Sequence, residues 1–366
     1  MKRKNFLKAS GILAMGSLLQ GCQDQSKEKA KEQKKKAAYK WKMVTTWPPN
    51  FPVVGEGCQL LSDWVYAMSD GEMSIRVYGS GELIPALECF DAVSSGASEM
   101  GSGAAYYWSG KNEILPFFTS VPFGMNAQQM NAWLYSGGGL DLWREMYTKY
   151  NLIPFPGGNT GMQMAGWFNK EINNIEDFKG LKIRMPGIGG QVLAKAGATP
   201  VLSGGTEIYT NLERGVIDAS EWIGPYHDYL MGFHKIAKYY YAPGWHETGS
   251  TLELIINKKA FEDLPAHLQT IIETAAARLN IWCISEFEAK NNEYLNKLMV
   301  EENVNLRTFS PEVLSQLQKY STEVLEALGN KNESNQKVYA SYMNFMKNIR
   351  HWSNYSEKLY YNNISK

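Results

Sequence analysis

One amide, one guanidinium and two carboxylates fall within a single stretch of the chain, residues 157–247: Gln163, Arg184, Glu221 and Glu247. Each sits in a run that is otherwise apolar, aromatic or rich in glycine, and Asn159 and Trp222 lie close by in the same stretch. A guanidinium has five donors in a planar fork, which suits bidentate contact with a carboxylate. A buried amide such as Gln163 needs partners at both ends, and its oxygen can ligate a cation. Two carboxylates in one partly dry site repel unless a proton or a cation lies between them. A hard cation with oxygen ligands, sodium or calcium, meets that need. Brought together in a cleft, this set would hold a small carboxylate with a cation. Taken singly, each residue also has a plainer account: Arg184 paired with a surface acid, each glutamate capping a turn or facing solvent.

The elements that must position these residues are legible from periodicity. The run 41–47 is β-prone and is ended by Pro48-Pro49-Asn50. Residues 55–68 place Leu60, Leu61, Trp64, Val65 and Met68 at helical spacing, and Ser69-Asp70-Gly71 stops them. A strand over 74–78, a helix over 85–95 and a short strand over 100–104 follow. Strand and helix alternating with such short connections predict a parallel α/β sheet with right-handed crossovers. In open sheets of this kind ligands bind beyond the carboxyl ends of the strands. Tyr106 and Tyr107 follow such an end, so both are candidate walls of the site and equally readable as core or rim.

A helical region over 128–150 is interrupted by Gly137-Gly138-Gly139. The pattern then repeats: strand-like 163–168, strand 182–184, helix 189–196, strand 199–202, helix 207–214, and the run 217–221. Two similar α/β lobes in series are expected. The β-prone stretch 251–257 returns to the first lobe. Beyond Leu264-Pro265 a helical pattern continues to Val300, roughly 35 residues or 50 Å, longer than one lobe needs. It could brace both lobes or pack against a second subunit. Helical regions 311–328 and 335–349 precede an aromatic tail, 352–361.

The 37 basic and 37 acidic side chains cancel, but unevenly. Residues 1–22 carry four basic residues and no acid, and residues 23–38 carry six lysines against three acids. From Tyr39 onward acids therefore outnumber bases by seven, a poor match to nucleic acid. The basic start and the short apolar run 11–19 read as a secretory signal. It closes on Leu19-Gln20-Gly21-Cys22, which resembles a bacterial lipobox and makes Cys22 the expected lipidation site, a membrane anchor. The lysine-rich 23–38 reads as a disordered tether. Cys58, Cys89 and Cys283 are scattered with no C-x-x-C pair, so a zinc site built on them is not indicated and at least one is expected to be an unpaired buried thiol.

From about Trp41 to Ala276 the chain resembles the DctP-type substrate-binding subunits of tripartite ATP-independent periplasmic (TRAP) transporters. The phrases that carry the resemblance are Tyr78-Gly79-Ser80-Gly81-Glu82-Leu83, Ala92-Val93-Ser94-Ser95-Gly96-Ala97, Phe178-Lys179-Gly180-Leu181-Lys182-Ile183-Arg184-Met185-Pro186-Gly187 and Leu212-Glu213-Arg214-Gly215-Val216-Ile217-Asp218-Ala219. The third is the most specific, and the resemblance implies that Arg184 clamps the substrate carboxylate. Gly157 to Gln163, Ser220-Glu221-Trp222 and Gly244-Trp245-His246-Glu247 are similar to the branch that binds 2-oxo acids or lactate.

That likeness implies a cation held by the Gln163 side chain, Glu221, the main-chain carbonyl of Trp222 and Glu247. The substrate would lie against Arg184, Gln163, Asn159, Tyr106, Tyr107 and Glu247. It further implies an α/β, two-lobed periplasmic-binding-protein fold with a mostly parallel sheet in each lobe and a long C-terminal helix. Lobe I would take 40–160 and 250–288, and lobe II 161–249 and 289–366 with the C-terminal helices. The implied role is delivery of a pyruvate- or lactate-like monocarboxylate to TRAP permease subunits on the periplasmic side of the envelope, with a homodimer as the expected assembly. The lipobox and tether depart from the many members that are free periplasmic proteins. Two other classes fit the same residues: a cation-dependent enzyme using Glu221 or Glu247 as base, and a ligand-sensing lipoprotein. No G-x-S-x-G, Walker loop or strand-borne G-x-G-x-x-G supports catalysis.

Overall fold

The alternating pattern resolves, in a computed structural model that describes residues 37–364, into two sheets whose strands come from interleaved parts of the chain. The signal run, Cys22 and the tether up to residue 36 lie outside the described residues. The first half supplies β1 (Tyr39–Thr45), α1 (Val54–Met68), β2 (Met73–Tyr78), α2 (Cys89–Ser94), β3 (Met100–Gly103), α3 (Ala127–Ser136), α4 (Gly139–Thr148) and β4 (Leu152–Asn159). The middle supplies β5 (Gly166–Phe168), β6 (Lys182–Arg184), α5 (Gly187–Lys195), β7 (Thr199–Val201), α6 (Gly205–Glu213), β8 (Ala219–Ser220), α7 (Pro225–Met231) and β9 (Tyr239–Ala242). Then come β10 (Thr251–Asn257), α8 (Lys258–Glu262), α9 (Ala266–Asn296), β11 (Asn305–Thr308), α10 (Pro311–Gly329), α11 (Glu333–Tyr355) and α12 (Glu357–Ile364).

Sheet order is β2-β1-β3-β10-β4 in the first lobe and β11-β9-β5-β8-β6-β7 in the second. Each sheet is parallel except for one strand: β10 runs antiparallel to β3 and β4, and β5 runs antiparallel to β8 and β9. That exception lets the chain change lobes at one rim. β4 ends where β10 begins, with Asn159 opposite Thr251, and β9 ends where β5 begins, with Tyr241 opposite Gly166. Both crossing segments, 160–165 and 243–250, therefore lie at the carboxyl edge of the parallel strands. They also pair with each other: Thr160 N donates to the Ser250 carbonyl at 3.0 Å and Gly244 N to the Gln163 carbonyl at 3.0 Å. A side chain at Gly244 would place its Cβ 2.1 Å from that same carbonyl oxygen, so only glycine permits the approach. This pairing explains why only Gly166–Phe168 of the strand-like run 163–168 joins the sheet, leaving Gln163 in the crossing.

All seven residues of β10 are buried, the mark of a strand covered on both faces. The long helix α9 buries Leu268, Ile272, Ala275, Ala276, Leu279, Cys283 and Phe287 along one stripe. It packs on α1 and β4 of the first lobe and on α7 of the second, so it braces both. α10 packs on α5 in the second lobe, whereas α11 returns to the first, against α3 and α4. The Tyr342 hydroxyl there accepts from Met125 N at 3.1 Å. The grouping of all residues from 289 onward with lobe II is thus corrected for α11, whose apolar face matches α3 and α4. Cys58, Cys89 and Cys283 are all buried free thiols. Among the described residues no helix is long and apolar enough to cross a membrane.

Asn159 ties the two crossings together. Its Nδ2 donates to the Gly249 carbonyl and to Thr251 Oγ1, both at 3.3 Å, and its Oδ1 accepts from Gly161 N at 2.9 Å. Asn159→Ala is expected to lower stability by about 2 kcal/mol, because a buried donor and acceptor lose their partner. A shift in the urea midpoint with unchanged slope checks this; a midpoint equal to wild type contradicts it.

Candidate functional site

The rim that gathers both crossings also receives the carboxyl ends of β6 and β8, and these carry Arg184 and, one residue on, Glu221. The side chains of this pair are 1% and 0% exposed. Arg184 Nη1 donates to Glu221 Oε1, Nη2 to the Tyr107 hydroxyl at 3.3 Å, and Nε to the Ser203 carbonyl at 3.3 Å. The Trp222 ring lies 5.5 Å from the guanidinium carbon, close enough for a cation–π contact. The Tyr107 contact spans the lobes, since Tyr107 follows β3 and Arg184 ends β6. Tyr106 packs edge-on against Tyr107, with ring centroids 4.7 Å apart.

The crossings supply the other half. Gln163 Nε2 donates to Glu247 Oε2 at 2.8 Å and to Thr160 Oγ1 at 3.1 Å, and Ser250 Oγ also donates to Glu247 Oε2. Glu221 Oε2 and His246 Nε2 stand 3.6 Å apart. One ligand atom each of Glu221, His246 and Glu247 lies within 4.8 Å of the other two, and all three residues are buried. The structure thus brings together Arg184, Tyr106, Tyr107, Gln163, Glu221, Trp222 and Glu247. The Asn159 amide is spent on the crossing backbone, so this residue shapes the site from below.

The electrostatics are those of a dry, over-negative pocket. Burial pushes the Glu247 carboxyl well above the usual carboxylate range, and the Glu221 charge adds to it. Burial acts to lower the Arg184 pKa, but Glu221, Tyr107 and Tyr106 more than reverse this. Burial likewise raises both tyrosines. Five buried side-chain atoms of this site have no hydrogen-bond partner: Gln163 Oε1, Glu221 Oε2, Trp222 Nε1 and both ring nitrogens of His246. Buried polar atoms left in this way are costly. Apart from the Trp222 indole, these residues offer oxygen or nitrogen lone pairs beside two carboxylates, and that donor set fits a cation.

Two further carboxyls hold the site in place, one per lobe. Glu253 on β10 accepts from Trp108 Nε1 and from the Tyr147 hydroxyl at 2.7 Å, which fixes the turn Ala105–Trp108 that carries both tyrosines. Asp228 on α7 accepts from Trp167 Nε1 at 3.0 Å, the Tyr240 hydroxyl at 2.7 Å and Ile223 N at 3.4 Å, which fixes the segment after Glu221 and Trp222. Burial pushes each of these carboxyls up to about 7. Between the lobes a cleft of about 460 Å³ is lined by Ser80, Ile84 and Leu87 on one side and Leu202, Ser203 and Glu207 on the other. Ser203 belongs to both the cleft and the arginine site.

Sequence reasoning passed over His246, Asp228, Glu253 and Ser203. His246 had a signal in its place beside Glu247. The two clamps did not, because their indole and phenol partners lie far away in sequence.

The family model "Bacterial extracellular solute-binding protein, family 7" (DctP) matches residues 43–332. The chain is 39% identical to a monocarboxylate 2-oxoacid-binding periplasmic protein of Nostoc sp. strain PCC 7120, over 99% of this chain and 98% of the relative. Two crystal structures of TRAP periplasmic solute-binding proteins superpose closely. That from Pseudoalteromonas atlantica T6c, with bound sodium and pyruvate, is 42% identical with a TM-score of 0.87, covering 89% of this chain and 99% of that one. That from Colwellia psychrerythraea, with bound calcium and pyruvate, is 44% identical with a TM-score of 0.86 over the same shares, 89% and 99%.

The Asp228 clamp yields a pH dependence with a definite sign. The folded state keeps this proton up to about pH 7, whereas an unfolded aspartate releases it near pH 4, so the group withdraws stability as pH rises across that window. The charged group that opposes its ionisation is Glu221, and Tyr240 and Trp167 donate to it. Relative to Asp228→Asn, wild type is expected to lose unfolding free energy between about pH 4 and about pH 7 and to change little above. Urea unfolding across that range checks this; a difference independent of pH contradicts it.

Proposed function

The chain belongs to the DctP family of bacterial extracellular solute-binding proteins, and on that premise we propose that it captures a small 2-oxo or 2-hydroxy monocarboxylate, pyruvate- or lactate-like, together with sodium or calcium, and delivers it to a TRAP permease. The observation that carries this reading is the buried group of Arg184, Glu221, Glu247 and Gln163, with unpartnered oxygens on Gln163 and Glu221. The pyruvate seen with sodium or calcium in the two superposing proteins supports the same ligand class here.

In this reading the substrate carboxylate takes the guanidinium fork of Arg184, and Tyr107, already on Nη2, closes over it from the first lobe. Gln163 Oε1, Glu221, the Trp222 main-chain carbonyl and Glu247 hold the cation, which supplies the positive charge that two buried carboxylates and an organic anion require. Ser250 and Thr160 orient Glu247 and Gln163. Tyr106 and Trp222 keep water away from the arginine. The lobes shut by bending at 160–165 and 243–250, burying the ligand, and nothing in the site transforms it.

The reading includes a lipid anchor at Cys22, a tether over 23–38 and a place on the periplasmic side of the envelope. A homodimer is included because α12 has no buried residue and exposes Leu359, Tyr360, Tyr361 and Ile364.

Calorimetric titration of a panel of 2-oxo and 2-hydroxy acids tests this. Pyruvate or lactate is expected to bind one per chain and to lose affinity after chelation of calcium in sodium-free buffer. Arg184→Ala is expected to weaken binding by about a hundredfold or more, since two charge-assisted bonds at about 1.5 kcal/mol each are lost. Undiminished affinity in that variant contradicts the reading, and recovery of a chemical product instead of intact acid points to an enzyme.

A further inference from the structure

His246 is a buried polar side chain at the rim to which the functional reading gives no task. It is 1% exposed, and both ring nitrogens are buried without a hydrogen-bond partner. What fixes it leaves the ring nitrogens unused. Ser120 Oγ donates to its carbonyl at 3.2 Å, and the Trp245 ring packs edge-on with centroids 5.6 Å apart. Gly189 of α5 makes room for it, because a Cβ there would stand 3.0 Å from His246 Cβ. The ring is thus placed by its backbone and its packing, with Nε2 3.6 Å from Glu221 Oε2. That separation is too long for a hydrogen bond and suits two atoms that share a third partner between them.

We infer that His246 is a nitrogen ligand of the cation site and that Glu221, His246 and Glu247 together give this site an affinity for a first-row transition dication, zinc-like, alongside the hard cations. The three ligand atoms lie within 4.8 Å of one another, close enough for one ion to touch all three. A cage of oxygens alone favours hard cations, whereas imidazole suits zinc, copper, nickel and iron. Zinc accepts both imidazole nitrogen and carboxylate oxygen as ligands, and Gln163 Oε1 is a fourth, uncharged donor within the same buried cluster. A metal-bound imidazole is a neutral ligand, so coordination by His246 keeps the negative balance that a dication offsets and adds selectivity from ligand softness.

This inference rests on the cation site proposed above, and the test separates the two. Metal-stripped full-length protein and His246→Gln are titrated with Zn²⁺ alone, by competition with a chromophoric chelator, and with Ca²⁺ in the presence of pyruvate. In wild type one Zn²⁺ per chain is expected, and in the variant the ratio of Zn²⁺ to Ca²⁺ affinity falls by about tenfold or more. One equivalent of Cu²⁺ on wild type is expected to show imidazole-nitrogen hyperfine structure in its electron paramagnetic resonance spectrum, lost in the variant. The wild-type spectrum needs no variant to fold. An unchanged Zn²⁺ to Ca²⁺ ratio, or a Cu²⁺ spectrum without imidazole nitrogen, overturns the inference even when pyruvate binds with calcium. Histidine-dependent Zn²⁺ binding supports it even in a protein that binds no pyruvate, a result that would remove the transport reading instead.

Discussion

Two carboxylates, Glu221 and Glu247, are packed into a dry rim with a single arginine between them and the bulk of one lobe. Arg184 can answer only one of them directly. Its contact with Glu221 leaves Glu247 to be stabilised by Gln163 and Ser250 and by the rise of its own pKa under burial. Such a cluster is a poor source of stability, because desolvation consumes most of the Coulombic gain. On the proposed function its value lies in being incomplete: a cation and an organic anion together would supply the missing positive charge and the missing acceptor for the guanidinium. On that reading ligand binding and lobe closure are the same event, since Tyr107 meets Arg184 from the other lobe.

The topology makes this cluster possible. In each sheet one strand runs against its neighbours, and both reversals open the chain at the carboxyl edge. Gln163 and Glu247 are therefore held on crossings that belong to neither sheet, and Arg184 and Glu221 sit at strand ends fixed by the second lobe. The crossings between the lobes and the candidate site are thus built from the same residues. The rigid parts are set by matched clamps, Glu253 under the tyrosine turn and Asp228 under the segment 221–223, each a buried carboxyl receiving an indole and a phenol. The brace α9 packs on both lobes.

Much of this was legible in the sequence, and for physical reasons. Composition and helical spacing placed β1, α1 and β10 within two residues and α9 within four at its carboxyl end, because each buries a continuous apolar surface. Arg184, Glu221 and Glu247 stood out because charged groups are rare inside apolar and aromatic runs. What local pattern could not show was pairing at a distance. β9 and β11 are four residues each and take their strand form from distant partners, β11 from β9 and β9 from both β11 and β5. Residues 163–165 looked like strand but lie in a crossing, where Gln163 pairs with Gly244 and Glu247. Asn159 carried the polarity of a ligand contact but spends it on the backbone beneath. The placing of α11 on the first lobe follows from α3 and α4 offering it an apolar face, which no property of α11 alone reveals.

The most direct test is a crystal structure of the protein grown with calcium and pyruvate. A cation roughly 2.3–2.6 Å from Gln163 Oε1 and from carboxylate oxygens of both Glu221 and Glu247, with the pyruvate carboxylate on Arg184, is the predicted result. Pyruvate bound away from Arg184, or the two glutamates turned apart with no ion between them, would contradict the account.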